Sequence, residues 1–264
     1  MKKFLVIGNP IEHSLSPELH NYWIKNSGVN AIYEKKKINE GQLEQIISQV
    51  KDNKIRGINV TVPFKKTVIP YLDELSDEAQ STQSVNTIYK KDDKIIGHNT
   101  DIFGFETSIK KAEYYLENKE VLILGAGGVV PSIIFSLIKM KASKIKISNR
   151  TKEKAENLKK IFNDLNIINW NEIQNFDMII NATSVGLNTN DVLNLDFSKI
   201  NNNKFFYDVI YNPTETNFLK NAKNLGNKTE NGKKMFIYQA ALAFKIWHGV
   251  QPEINEEVEK LLDQ

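Results

Sequence analysis

The chain has no cysteine among its 264 residues. Disulfides, thiolate nucleophiles, thiolate zinc sites and iron–sulfur clusters are thereby excluded. Histidine is scarce too. His13, His20, His98 and His248 stand at no metal-ligand spacing, so no metal site is expected, and each reads as a packing or capping residue. Neither sign of charge dominates: 35 Lys and Arg against 32 Asp and Glu leave +3, too balanced for a dedicated nucleic-acid binder. No basic stripe with interleaved aromatics occurs either. Long hydrophobic runs are also missing. Residues 4–7 follow two lysines but stop at Gly8-Asn9-Pro10, too short for the apolar core of a signal peptide. Residues 121–138 carry no charge, yet Gly125-Ala126-Gly127-Gly128 and Pro131 interrupt them, so they are not one membrane-crossing helix. A cytoplasmic protein with no membrane or nucleic-acid partner is expected, and a homodimer is compatible with the sequence.

What is present is ordinary globular material. Apolar residues are 41% and charged residues 25%, which excludes disorder, and the length suits one large domain or two ordinary ones. Residues 4–7, 31–37 and 55–62 read as strands. Ser16-Pro17 reads as an N-cap followed by a first-turn proline, opening a helix to about residue 26. Leu43, Ile46, Ile47 and Val50 share one helical face over residues 41–50. Residues 85–89 and 94–98 flank Asp92-Asp93 as a hairpin. The alternation is α/β wiring with a mostly parallel sheet. A helix over residues 101–116 leads to a second α/β series, with strands at 121–124, 144–148, 178–181 and 205–210. Helices are expected there at 129–140 and 151–162, and the last helices at 235–247 and 253–262. The second series starts with its own first strand, so two domains are expected, divided inside the helix that follows Asp101.

The turn Gly125-Ala126-Gly127-Gly128 follows a buried-type strand and precedes an apolar helix. Glycines there let backbone N–H groups approach a pyrophosphate at the helix N-terminus, where the macrodipole favours negative charge. The plain alternative is a glycine-rich turn with no ligand. The last small position of the usual fingerprint is Val130, which would loosen helix–strand packing slightly. About 20 residues on, where NAD-binding units place Asp or Glu, stand Asn149, Arg150 and Thr151, with Lys154 a turn later. A guanidinium pairs with a 2′-phosphate, so NADP is favoured over NAD. On its own, the pair Arg150 and Lys154 would also suit a solvated helix start.

Polar residues interrupt the apolar pattern of the first half. Ser14 and Ser16 precede a helix, Asn59 and Thr61 end a strand, Lys65 follows Pro63-Phe64, and Asn86 and Asp101 lie in polar turns. Singly, each has an ordinary reading as a cap, a turn residue or a surface charge.

The motifs His-Ser-Leu-Ser-Pro, Asn-Val-Thr-Val-Pro-Phe-Lys, Ser-Val-Asn-Thr, Asn-Thr-Asp-Ile-Phe-Gly-Phe, Gly-Ala-Gly-Gly, Ser-Asn-Arg-Thr, Asn-Ala-Thr-Ser-Val-Gly and Gly-Lys-Lys-Met-Phe-Ile-Tyr-Gln-Ala-Ala occur in this order. In this set and order the chain resembles the shikimate dehydrogenases, from Ile7 to Pro252. The resemblance implies two α/β domains with a cleft between them. Residues 1–100 would form the substrate-binding and catalytic domain, completed by C-terminal helices within 236–264, and residues 101–235 a Rossmann-like NADP-binding domain. It implies reversible NADP-linked reduction of 3-dehydroshikimate to shikimate.

Residue by residue, the resemblance implies that Ser14 and Ser16 bind the substrate carboxylate. Thr61, Asn86 and Gln239 would hold ring hydroxyls or the carboxylate side, and Lys65 and Asp101 would be the catalytic pair. Gly125, Ala126, Gly127, Gly128 and Val129 would cradle the pyrophosphate, and Asn149, Arg150, Thr151 and Lys154 the adenosine phosphate. Thr183, Tyr211 and Gly232 would lie near the ribose, substrate or nicotinamide, Tyr211 on the substrate side. Two departures stand out: Val129-Val130-Pro131 replaces small residues after the glycines, and Asn231 stands where the family often has Asp. Chemistry supports the lysine, since a protonated amine can give the proton that a carbonyl oxygen needs on accepting hydride. Two rivals remain: a quinate/shikimate dehydrogenase of the same fold using NAD, and a non-catalytic sensor of shikimate-like ligands.

Overall fold

The computed structural model describes residues 1–170, 172–188 and 190–263, and for Lys199 the backbone alone. The chain divides into two compact units: Met1–Gly104 with Ile237–Leu261, and Phe105–Phe236 with the last residues from Leu262.

The first unit opens β1 (Lys2–Gly8), α1 (Ser16–Asn26), β2 (Ala31–Lys37), α2 (Leu43–Lys51), β3 (Gly57–Val60) and α3 (Phe64–Thr67). It continues with β4 (Glu74–Leu75), α4 (Asp77–Thr82), β5 (Thr87–Lys91) and β6 (Lys94–His98). The sheet order is β2-β1-β3-β5-β6-β4. β1 lies parallel to both β2 and β3, whereas β5 runs antiparallel to β3 and β6. β4 lies parallel to β6, so the sheet is mostly parallel, as expected, and β5 alone runs against its neighbours. The cause is the tight hairpin: Asp92 and Asp93 both take positive φ (49° and 61°), the conformation a two-residue connection demands. The apolar face of α2, Leu43, Ile46, Ile47 and Val50, is fully buried with Leu5, Ile7, Ile58 and Ile88.

Helix α5 (Asp101–Lys111) begins in the first unit and continues into the second. It ends five residues earlier than its apolar spacing suggested, because the chain turns at Glu113 with φ 52°. The second unit then runs β7 (Glu120–Leu124), α6 (Val130–Lys139), β8 (Lys144–Ser148), α7 (Lys152–Lys159), β9 (Asn166–Ile168), β10 (Met178–Asn181), β11 (Phe205–Asp208), α8 (Asn217–Asn224) and β12 (Lys228–Glu230). Its order is β12-β11-β10-β7-β8-β9, with every neighbour parallel. This is the doubly wound order, whose direction reverses between β7 and β10. The central strands β7, β10 and β11 are near-continuous apolar runs, as strands buried on both faces are. Val130 is fully buried in this core, so the larger residue after the glycines is packed and the expected loosening is absent. Helices α9 (Lys233–His248) and α10 (Glu256–Lys260) close the chain. Among the described residues, no helix is long and apolar enough to cross a membrane.

Candidate active site

In open α/β sheets ligands gather at the carboxyl ends of strands where the order reverses. In the first unit those ends belong to β1 and β3. The first is followed by the loop that carries Ser14, the second by Thr61 and the single-turn helix α3, which carries Lys65.

Lys65 Nζ lies 2.5 Å from Asp101 Oδ2, and the two side chains are only 12% and 7% exposed. The carboxylate is fixed from several sides. Asn86 Nδ2 donates to its other oxygen at 2.9 Å. Its own backbone N–H donates to Asn99 Oδ1 at 3.1 Å, which orients the first turn of α5. Asn86 also donates to Thr100 Oγ1 at 2.9 Å and accepts the Thr100 N–H at 2.8 Å. Gln239, on α9, brings its side-chain oxygen to 3.4 Å from Asn86 Nδ2 and 3.5 Å from Thr100 Oγ1. Lys65, Asp101, Asn86 and Gln239 thus form one constellation although they lie far apart in sequence.

Ser14 and Ser16 come together separately. The Ser14 hydroxyl donates to Ser16 Oγ at 3.2 Å and accepts the Ser16 N–H at 3.4 Å. Here the sequence expectation is corrected: Ser16 is not the N-cap of α1. Leu15 holds that position with no side-chain bond, and Ser16 is already helical. Ser14 instead takes the Ser16 amide, the first of the helix. Thr61 is half-buried, and its N–H donates to Ile7 O at 2.9 Å. No hydrogen bond among the described residues ties its side chain to the Lys65 cluster. Tyr211 lies in the second unit and stacks on Phe236 with ring centres 4.4 Å apart.

The second unit carries the dinucleotide features. Gly125 has φ +105°, and a side-chain carbon there would lie 2.7 Å from Ala182 O at the end of β10. Only glycine lets the turn after β7 pass so close to its neighbour. At Gly127 the turn is open, since a side-chain carbon would meet nothing nearer than 3.8 Å. Ala126 is half-buried, Gly127 and Gly128 are exposed, and half-buried Val129 is the backbone N-cap of α6. Gly232 donates its N–H to Ile210 O at 3.0 Å, and a side-chain carbon there would collide with Val209 O at 2.1 Å. At the end of β8, Asn149 Nδ2 donates to Thr151 O at 2.7 Å and so braces the turn that presents Arg150. Arg150 and Lys154 are exposed, and neither pairs with a carboxylate among the described residues. A tight glycine turn, a helix start and two unpaired cations fit a phosphorylated dinucleotide.

Thr183 is held by a buried network that sequence reading did not single out. Asn181 Oδ1 accepts from the Thr183 N–H at 3.1 Å and from its hydroxyl at 2.7 Å, while Asn181 Nδ2 donates to both oxygens of Asp208. Thr216 donates to Asp208 at 2.7 Å and caps α8. Burial pushes the Asp208 carboxyl up to about 6, against the hydrogen bonds of Thr216, Ile210 and Asn181. Thr100 and Asn99 were missed as well. The only signal was their place in the turn before Asp101, where amides and hydroxyls act as caps.

The chain can now be set beside known proteins. Residues 6–88 match the family model described as shikimate dehydrogenase substrate binding domain. Residues 107–215 match shikimate / quinate 5-dehydrogenase, and residues 234–256 the shikimate 5'-dehydrogenase C-terminal domain. A shikimate dehydrogenase (NADP(+)) of Pelagibacter ubique is 60% identical over 262 residues, 99% of each chain. The crystal structure of shikimate dehydrogenase from Aquifex aeolicus is similar with a TM-score of 0.91 and 39% identity, covering 99% of this chain and 97% of that one. The Thermus thermophilus shikimate 5-dehydrogenase, solved in complex with NADP(H) and shikimate, is similar with a TM-score of 0.90 and 31% identity, covering 99% of this chain and 98% of that one. A lysine–carboxylate cluster on one α/β unit, a tight glycine turn on another and likeness over nearly every residue lead to one assignment: the chain belongs to the shikimate dehydrogenase family.

Proposed function

We propose that the chain catalyses the reversible, NADP-linked interconversion of 3-dehydroshikimate and shikimate, with Lys65 as general acid and base. The observation that carries this reading is the Lys65–Asp101 contact, braced by Asn86. The chemistry a bound NADP supplies is hydride transfer. Lys65 handles the proton. In reduction its ammonium delivers a proton to the oxygen that becomes the hydroxyl. In oxidation the neutral amine removes that proton. Asp101 orients the amine, and Asn86 keeps the carboxylate from turning away.

Ser14 and Ser16 offer two adjacent hydroxyls to a substrate carboxylate. Thr61, Asn86, Gln239 and Tyr211 are assigned to the rest of the substrate. Gly125, Ala126, Gly127, Gly128 and Val129 take the pyrophosphate; Asn149, Arg150, Thr151 and Lys154 take the adenosine end; Thr183 and Gly232 take the nicotinamide half. In this reading residues 1–100 with helices from 236 onward serve the substrate, residues 101–235 serve the cofactor, and the enzyme acts in the cytoplasm. A self-associated form, as a homodimer, belongs to the same proposal. A passive sensor has no use for a buried, clamped proton donor, and unpaired Arg150 favours NADP over NAD.

A four-way assay tests the reading: shikimate or quinate, each with NADP or NAD, followed by the ultraviolet absorbance of the reduced nicotinamide. Turnover should be fastest with shikimate and NADP. No turnover with that pair refutes the assignment, and faster turnover with quinate and NAD moves it to the rival enzyme.

A further inference from the structure

Asn86 is one end of a longer chain of buried hydrogen bonds inside the first unit. Tyr33, on the edge strand β2, is 2% exposed. Its hydroxyl donates to Asn59 Oδ1 on β3 at 2.7 Å. The Asn59 amide nitrogen donates to Asn86 O at 3.0 Å and to Thr87 Oγ1 at 3.1 Å. The Thr87 hydroxyl lies 2.9 Å from Asn86 Oδ1, and Asn86 Nδ2 reaches Asp101. An amide oxygen can only accept and an amide nitrogen only donate. The Asn86 carbonyl therefore takes the Asn59 nitrogen, and the Tyr33 phenol proton anchors the Asn59 oxygen on the opposite side.

Tyr33 is pinned far more firmly than filling space requires. Asn21 clamps its backbone from both sides, donating to Tyr33 O at 2.8 Å and accepting from Tyr33 N at 2.9 Å. His20 stacks on its ring at 4.2 Å with the planes 1° apart. Phenylalanine would fill the same volume without the hydroxyl. Backbone, ring plane and hydroxyl direction are all fixed, and what they fix in turn is the amide that touches Asn86.

We infer that Tyr33 is a positioning residue: its hydroxyl anchors the Asn59 amide, which holds Asn86 and through it the Asp101 carboxylate against Lys65. The inference rests on the reading of Lys65 and Asp101 as the acid–base pair. It makes no claim that Tyr33 touches substrate or cofactor.

The test is a double-mutant cycle on the full chain, following shikimate oxidation by NADP with kcat taken per folded molecule. Tyr33→Phe should lower kcat about 10- to 100-fold, the size of a small misalignment at the reacting atoms, and leave KM for NADP within about twofold. In an Asn59→Ala background the same replacement should change kcat by less than about twofold, because the residue it acts through is gone. An unchanged kcat in Tyr33→Phe overturns the inference, and so does an equal loss in both backgrounds. A purely structural role would lower the melting temperature and leave kcat per folded molecule alone. Should Tyr33→Phe not fold, Asn59→Ser answers the same question: a comparable loss of kcat at constant KM for NADP supports the chain of contacts, and wild-type kcat overturns it. Wild type and Lys65→Ala are run alongside. An inactive wild type, or a fast Lys65→Ala, strikes the acid–base reading itself and the inference with it. A fast Tyr33→Phe beside a slow Lys65→Ala strikes the inference alone.

Discussion

Arg150 stands immediately after β8 with no carboxylate partner among the described residues, and Asn149 braces its turn by donating to Thr151 O at 2.7 Å. A cation left unpaired on a stiffened turn, one strand over from a tight glycine-rich turn, is placed to meet an anion. The same strand end in an NAD-selective unit would carry an acid.

Arg150→Ala should therefore raise KM for NADP about 10- to 100-fold, the value of one or two hydrogen bonds to a charged group. KM for NAD should move by no more than about twofold, since NAD has no 2′-phosphate. Steady-state kinetics with each cofactor check this, and equal changes would remove Arg150 from phosphate recognition.

His20 makes the fold acid-sensitive. It is fully buried, neither ring nitrogen has a hydrogen-bond partner among the described residues, and burial pushes its pKa from the ordinary 6.5 down to about 3, with His248 adding a smaller push. The unfolded chain takes up a proton below 6.5 that the folded chain refuses until about 3, so stability falls with pH across that window. The loss is about 1.4 kcal/mol per pH unit. Asp208 has the opposite sign: its folded pKa of about 6 exceeds the ordinary 3.8, so it adds stability as pH falls between those values. Comparing His20→Phe with wild type in urea isolates the histidine. The variant should be as stable as wild type or more so at neutral pH, and its advantage should grow on acidification. An advantage that does not change with pH would mean that His20 is charged or solvated in the native protein.

Gly125→Ala should destabilise the second unit by about 1–3 kcal/mol, since it adds a side-chain carbon at positive φ against a backbone oxygen. Its affinity for NADP, read by fluorescence titration, should fall as well. Wild-type melting temperature and affinity together would show that the turn is not tight.

Breaking the central ion pair should also cost stability. Asp101→Ala strands a nearly buried ammonium, and removing one partner of such a pair costs about 3 kcal/mol. Urea unfolding measures this, and a loss below about 1 kcal/mol would place the pair in solvent.

Much of the architecture is legible because local chemistry and tertiary packing agree. β7 and β10 are short apolar runs closed by turn residues, the pattern of buried strands, and the Gly125 turn carries its own backbone requirement. The amphipathic face of α2 is readable from spacing alone. Helix α8 is not: its sequence is rich in asparagine, and only Phe218, Leu219 and Ala222 bury, with Thr216 supplying the cap. The two-residue β4 is too short to leave any periodicity, and it exists because β6 pairs with it. In the site, motif resemblance pointed to Lys65, Asp101, Asn86 and Gln239, but no local signal joins Asn86 to a residue on α9. Tyr33 and Asn59 read as an ordinary strand tyrosine and a strand-end amide, since their bond spans two strands that each pair with β1. Ser16 reads as a cap because its proline neighbour fits that pattern, whereas it is Ser14, two residues earlier, that accepts the first helical amide.

The most direct test of the account is the turnover of Lys65→Ala in shikimate oxidation by NADP, with bound NADP confirmed by titration. The account predicts a fall in kcat of about 10²- to 10⁴-fold with a much smaller change in KM for shikimate. A variant that binds both ligands and turns over at nearly the wild-type rate would contradict it.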